Sequence, residues 1–182
     1  MFATTERLLL RPAWAEDAPA IYRGISDEGI VRNLAKAPWP YGLADAEAFA
    51  ATERSPSEPA MLIFLRRDGG PELVGSIGFG RDPNGKLEFG YWIARPHWGR
   101  GYATEAGRAV IAAARDSLRI RKLNAGHFLD NPASGRVLAK LGFRATGQIV
   151  PRFSLGRGES APCRLLELEL GDADEDAPRM AA

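Results

Sequence analysis

The chain has 182 residues, of which 45% are hydrophobic and 26% charged, and its formal net charge at pH 7 is +1. This balance predicts one soluble globular domain, argues against disorder, and disfavours binding to nucleic acid or to a membrane through bulk charge. The only cysteine, Cys163, cannot form an internal disulfide, and neither a signal peptide nor a run of about 20 apolar residues is visible, so we expect a cytoplasmic protein.

The N-terminal third of the chain combines one strand with two helices. Residues 6–11 are typical of a short β-strand, which Pro12 ends. Residues 16–26 carry apolar side chains at helical spacing and acidic residues in the first turn, so we predict a helix there. A proline-rich loop over residues 38–42 precedes a second predicted helix over residues 45–54.

Three strand patterns follow along the chain. They cover residues 60–66, 73–81 and 87–94, and turn sequences at residues 68–70 and 82–85 separate them. Because short turns join consecutive strands, we predict an antiparallel meander.

The pattern then changes to a helical period. Residues 102–118 form an amphipathic helix between the strand at 87–94 and a predicted strand at 122–128. A strand, a crossover helix and a second strand make a βαβ unit, so these two strands are expected to be parallel. A shorter helix and two strands joined as a hairpin follow, over residues 133–141, 143–153 and 164–170.

Together these elements predict a mixed α/β fold. We expect a mostly antiparallel central sheet of about six to seven strands, with one parallel βαβ pair and flanking helices. Residues 1–170 would form a single domain, and residues 171–182 a flexible acidic tail.

The connection between the strand at 87–94 and the helix at 102–118 carries the clearest ligand signal. It reads Trp98-Gly99-Arg100-Gly101-Tyr102-Ala103-Thr104-Glu105. Glycines let the backbone approach a ligand closely, and the first N–H groups of a helix have no partner within it, so the segment favours an anion such as a pyrophosphate. The alternative is that Gly99 and Gly101 only permit a tight turn.

Two other phosphate-binding loops fit this sequence poorly. No G-x-x-x-x-G-K-[ST] segment occurs in it. A dinucleotide fingerprint would need a third glycine where Thr104 stands, and it belongs to the first strand of a doubly wound sheet, whereas a meander comes first here. A nicotinamide or flavin oxidoreductase is therefore the weaker alternative.

Residues 96–106, PHWGRGYATEA, resemble motif A of the GNAT superfamily of N-acetyltransferases, especially of its ribosomal-protein N-terminal (Rim-type) branch. Gly101 and Ala103 match the last two fixed positions of the pattern Q/R-x-x-G-x-G/A, and Trp98 stands where Gln or Arg is usual. Residues 130–143, which begin Asp-Asn-Pro-Ala-Ser, resemble motif B. The resemblance covers about residues 6–170.

This resemblance implies acetyl-CoA as the acetyl donor. One loop would bind its pyrophosphate through the backbone of Trp98, Gly99, Arg100, Gly101, Tyr102, Ala103 and Thr104. Asn131 and Ser134 would help to place the cofactor. The end of the preceding strand would hold the thioester at Trp92, Ile93 and Ala94, with the N–H of Trp92 or Ile93 on its carbonyl oxygen.

Amide formation from a thioester needs a base for the amine and a proton donor for the leaving thiolate. Glu88 resembles the strand residue that is the base in some GNAT enzymes; the alternative is a solvent-facing residue or one side of an ion pair. Ser134 occupies the position of the Rim-type serine that protonates the thiolate, and its alternative is helix capping. Many other GNAT enzymes use a tyrosine where this chain has Leu138.

Trp39 and Tyr41, on the proline-rich loop, are expected on the acceptor side. The two histidines, His97 and His127, make no metal pattern, and we expect no metal. We predict direct transfer of the acetyl group to a primary amine, of a protein N-terminus or of a small molecule, by a monomer or homodimer. The main alternative is a CoA-binding domain on the same fold without catalytic activity.

Overall fold

Eight strands form a single sheet in the computed structural model, which describes residues 2–171. In chain order they are β1 (Ala3–Thr4), β2 (Leu8–Arg11), β3 (Ala60–Leu65), β4 (Glu72–Arg81), β5 (Leu87–Ile93), β6 (Lys122–Phe128), β7 (Arg144–Ser154) and β8 (Glu159–Glu169). Their order across the sheet is β1-β2-β3-β4-β5-β6-β8-β7. The predicted acidic tail lies, apart from Gly171, outside the described residues.

The sheet is mixed, as predicted. All neighbouring strands are antiparallel except β5 and β6, which are parallel and joined by a crossover helix. The eight strands exceed the expected six to seven because β1 has only two residues, too few to show an alternating pattern.

In the described residues 2–171, five α-helices flank the sheet. They are α1 (Ala18–Ile25), α2 (Glu28–Val31), α3 (Leu43–Ala51), α4 (Tyr102–Asp116) and α5 (Pro132–Lys140). All but α2 were predicted, and α2 is a single turn of four residues, too short to show a helical period. Within residues 2–171, no helix has the length and apolar character needed to cross a bilayer.

Two apolar clusters lie on opposite faces of the sheet, and β5 contributes to both. Phe89 and Ile93 pack with the cluster that includes the buried residues of α4 and α5. Trp92 and Ala94, which point to the other face, pack with α1 and α3. Successive side chains of a strand alternate between faces, so β5 contributes side chains to both sides of the sheet.

The sheet opens between β5 and β6. These strands are paired only at Glu88 with Asn124 and at Phe89 with Ala125. By contrast, β4 pairs with the whole of β5, and β8 pairs with the whole of β6. Each strand is therefore held by its outer neighbour, and beyond Phe89 a gap remains between the two central strands.

Candidate active site

A cavity of about 460 Å³ follows this opening. Its lining includes the loop before α4, Tyr91 and Ser134, and Glu88 and Arg152. Along β5, Tyr91 lies between Glu88 and the strand end that leads to the loop. Residues 29–35, around α2, also contribute to its wall. The predicted loop, Ser134 and Glu88 thus share one continuous space, although they come from three separate elements.

The loop before α4 has the backbone geometry of an anion site. Gly99 and Gly101 have φ angles of 74° and 81°, in the left-handed region that favours glycine. The first bond within α4 runs from the N–H of Glu105 to the carbonyl of Gly101. The N–H groups of Tyr102, Ala103 and Thr104 precede that bond and have no acceptor inside the helix, so they are available to a bound anion.

Glu105 fixes this loop to the N-terminal strands. Its carboxylate accepts from the Thr5 hydroxyl at 2.6 Å and from Arg7 Nε at 2.7 Å. Burial would raise the pKa of Glu105, but these hydrogen bonds lower it below its ordinary value, so the carboxylate stays charged. Arg7 also donates to the carbonyl of Arg100 at 3.2 Å, which holds the loop from outside.

Only one of the three residues expected at the end of β5 presents its backbone to the opening. The N–H of Ala94 donates to Val74, so Ala94 and, by strand alternation, Trp92 face β4. The carbonyl of Ile93 instead accepts from the indole N–H of Trp98 at 2.6 Å, on the opposite side. Of the two N–H groups expected to bind the thioester carbonyl, only that of Ile93 faces the opening, because the N–H groups of Trp92 and Ala94 face β4.

Ser134 lies in the first turn of α5, where Asn131 is the N-cap. The side-chain oxygen of Asn131 accepts from the N–H of Ser134 at 3.2 Å. The Ser134 hydroxyl does not cap the helix; its oxygen accepts from the hydroxyl of Tyr91 at 3.1 Å. Asn131 therefore does the capping, and Ser134 is directed into the cavity. Leu138 is buried in the core and supplies no proton.

Tyr91 is a site residue that the sequence analysis did not identify. Burial raises its pKa to about 12, although the hydrogen bond with Ser134 lowers it in part. The phenol is consequently protonated at neutral pH. Strand alternation could have found it, because Tyr91 lies on the same face of β5 as Phe89 and Ile93.

Glu88 is one side of an ion pair. Both of its oxygens accept from Arg152, and the bond from Nη2 to Oε2 is 2.5 Å long. Hydrogen bonding to Glu88 raises the pKa of Arg152, against the opposing effect of burial. Gly126 provides the space for this contact, because an added Cβ there would lie 2.9 Å from Nη1 of Arg152.

Trp39 and Tyr41 do not line the cavity formed by the described residues. Tyr41 is buried in the cluster of α1 and α3, and Trp39 is exposed. An aromatic, proline-rich loop can serve either packing or recognition, and here Tyr41 serves packing. From this part of the chain, the cavity is lined instead by residues 29, 30 and 33–35.

The two histidines lie apart. His97 is buried and its Nε2 lies 3.2 Å from Glu72, while Nδ1 of His127 lies 2.9 Å from the carbonyl of Phe128. In the described part of the chain, no three His, Cys, Asp or Glu side chains come together in a group that could hold a metal ion.

Comparison with known proteins identifies related sequences over most of the chain. A family model for the acetyltransferase (GNAT) domain matches residues 7–144. The uncharacterized N-acetyltransferase YoaA of Bacillus subtilis is 31% identical over 155 residues, which are 79% of this chain and 82% of that protein. The ribosomal-protein-serine acetyltransferase of Escherichia coli is 36% identical over 89 residues, 48% of each chain.

Solved structures share the fold. An acetyltransferase of the GNAT family from Bacillus anthracis has a TM-score of 0.79 at 23% identity and covers 93% of this chain and 98% of its own. The microcin C7 self-immunity acetyltransferase MccE, solved with acetyl-CoA and AMP, has a TM-score of 0.75 at 18% identity, covering 91% and 93%. The predicted mixed α/β fold with one parallel pair is confirmed by this likeness.

Proposed function

The chain belongs to the acetyltransferase (GNAT) family, and on that premise we propose that it transfers the acetyl group of acetyl-CoA to a primary amine. The observation that carries the proposal is the opening between β5 and β6, which joins an anion-binding loop to Ser134 in one cavity. Nucleophile and thioester would be held together there, so that attack is direct and no acyl-enzyme forms.

The donor half of the site fits acetyl-CoA. The free N–H groups of Tyr102, Ala103 and Thr104 would bind the pyrophosphate, and hydrogen bonds to a charged group contribute about 1.5–3 kcal/mol each. The N–H of Ile93 points into the opening and would stabilise the oxygen of the tetrahedral intermediate. A complex of a related fold with acetyl-CoA supports the same choice of donor.

Ser134 would protonate the leaving thiolate. Its hydroxyl lines the cavity and is bonded to Tyr91, which lies on β5 between Glu88 and the strand end that leads to the loop before α4. As the nitrogen–carbon bond forms and the carbon–sulfur bond breaks, the electron pair goes to sulfur. The Ser134 hydroxyl then donates its hydrogen to that sulfur.

Glu88 lies where the acceptor amine would approach, but its pairing limits what it can do as a base. Taking a proton from the amine would weaken a bidentate, charge-assisted pair with Arg152. We therefore assign Glu88 an assisting role, in which it attracts the ammonium and passes its proton through water, and a strongly basic amine is a poor acceptor for such a site.

This argument favours an α-amine as the acceptor. A lysine-like amine has a pKa near 10.4, so roughly one molecule in a thousand is neutral at pH 7.4, a deficit of about 4 kcal/mol. An α-amine has a pKa of about 7.7–8.0 and is already partly neutral. The name of the E. coli relative, which acts on a ribosomal-protein serine, supports a protein N-terminus as the acceptor.

A thiol-release assay with acetyl-CoA and matched peptides tests the proposal. The first peptide has a free N-terminus and no lysine; the second has a blocked N-terminus and one lysine; a small α-amine completes the panel. We expect release with the free N-terminus and much less with the lysine peptide. Binding of CoA without release from any amine would identify a non-catalytic CoA-binding domain, and preferential binding of NAD would favour an oxidoreductase.

A further inference from the structure

Tyr91 and Ser134 form a hydrogen-bonded pair across the cavity. Tyr91 lies on β5 and Ser134 at the start of α5, and the 3.1 Å contact between their hydroxyl oxygens links these two elements. Both side chains line the space that the thioester would occupy.

The direction of this hydrogen bond determines where the Ser134 proton points. A serine hydroxyl has one hydrogen and two acceptor lone pairs. Tyr91, which is protonated at neutral pH, occupies one lone pair as a donor. Among residues 2–171, the Ser134 hydroxyl hydrogen has no acceptor of its own, so it remains available to a group in the cavity.

We infer that Tyr91 is a positioning residue for Ser134, directing the Ser134 proton at the thiolate and stabilising the oxygen that loses it. The inference rests on the proposed acetyl transfer. Proton transfer to sulfur leaves negative charge on the Ser134 oxygen, and a hydrogen bond to a charged acceptor is about twice as strong as a neutral one. The hydrogen bond from Tyr91 to Ser134 is therefore stronger in the transition state than in the ground state, and this difference lowers the barrier to the reaction.

The protons balance without another reactant. The nitrogen–carbon bond forms, the carbon–sulfur bond breaks, and the Ser134 hydroxyl gives its proton to sulfur. The Ser134 oxygen then regains, through water, the proton that the acceptor nitrogen loses as the amide forms. Tyr91 keeps its own proton throughout, consistent with the burial of its phenol.

The test compares Tyr91→Phe, Ser134→Ala and the double variant. Tyr91→Phe removes one hydroxyl, and we expect kcat to fall about 10- to 100-fold with little change in the Kd of acetyl-CoA. Because Tyr91 acts through Ser134, the double variant should be no slower than Ser134→Ala alone. Tyr22→Phe, at an exposed tyrosine on α1, is the matched control and should have the wild-type kcat.

Three outcomes separate the possibilities. Additive losses in the double variant, or a wild-type kcat for Tyr91→Phe, would overturn the role of Tyr91 while acetyl transfer stands. A wild-type protein that binds acetyl-CoA and releases no thiol with any amine would overturn both proposals. A Tyr91→Phe variant that binds acetyl-CoA normally and melts at the wild-type temperature excludes misfolding as the cause of a slow kcat.

Discussion

Gly101→Asp should weaken CoA binding much more than Gly101→Asn does. Gly101 has a φ angle of 81°, so either side chain imposes the same backbone cost, and Asn and Asp are the non-glycine residues that tolerate this region best. Space does not exclude them, because an added Cβ would meet Arg7 Nη2 at 3.6 Å, an ordinary contact. The two variants therefore differ essentially in charge.

The magnitude follows from the position of Gly101 at the N-terminus of α4. A carboxylate about 4 Å from a phosphate repels it by ~4 kcal/mol at an effective dielectric constant of about 20. Arg7 would offset the new charge only in part, since it already pairs with Glu105 at 2.6 Å. Solvent ions screen an exposed loop, so we expect the Asp variant to bind CoA at least about tenfold more weakly than the Asn variant at low salt.

Titration calorimetry with CoA at low and high salt measures this difference directly. The gap between the two variants should narrow as salt is added, because salt screens the added carboxylate–phosphate repulsion, which only the Asp variant has. Thermal melting without ligand should place both variants at the same temperature. Equal CoA affinities at both salt concentrations would refute the assignment of the pyrophosphate to this loop.

Three further variants probe the site and the fold. Ser134→Ala should lower kcat about 10²–10⁴-fold at an unchanged acetyl-CoA Kd, and a wild-type kcat would mean that another group protonates the thiolate. Glu88→Gln should lower kcat on an α-amine near neutral pH, and its kcat should recover as the pH rises, because the amine then deprotonates unaided. If the double variant Glu88→Gln/Arg152→Gln had the wild-type kcat at neutral pH, Glu88 would have only a structural role. Arg11 donates to both oxygens of the buried Asp17, at 2.7 and 2.8 Å. Burial raises the pKa of Asp17, but the hydrogen bonds from Arg11 and the Trp14 N–H lower it below its ordinary value. The pair therefore stabilises the fold above about pH 4, and this contribution is lost as the pH falls through the lowered pKa of Asp17. Asp17→Asn should lower the free energy of unfolding in urea by about 3 kcal/mol at pH 7 and by much less in acid. A cost independent of pH would contradict that account.

The local elements of the fold could be predicted because their signals are local. The amphipathic period of α4 and the turns between β3, β4 and β5 each lie within one short stretch of sequence. A strand, a crossover helix and a strand in succession then predict that β5 and β6 are parallel. The elements that were missed, β1 and α2, have two and four residues and depend on tertiary contacts. Such short segments have no period of their own.

The ion pair of Glu88 could not be identified from the sequence, although pairing was one of the alternatives. Arg152 lies on β7, 64 residues away along the chain, and in the order β5-β6-β8-β7 its side chain passes Cys163 and Gly126 before it reaches Glu88. No local signal gives that strand order. Tyr91 is a different case, because alternation along β5 places it on the face of α4 and α5, where motif B begins.

The opening between β5 and β6 would place cofactor binding and the proposed chemistry side by side. The ladder between these strands ends at Phe89, so the N–H groups of Tyr91 and Ile93 face the gap without a partner from β6. Unpaired backbone groups are costly when buried, and a substrate with amide and carbonyl groups along its arm can supply the missing partners. The same strand then offers Tyr91 to one face and Glu88 to the other, where it meets Arg152. On the proposed function, a gap in a sheet that is held open by two complete antiparallel ladders would bring the proton donor and the acceptor-side pair to opposite sides of one bound thioester.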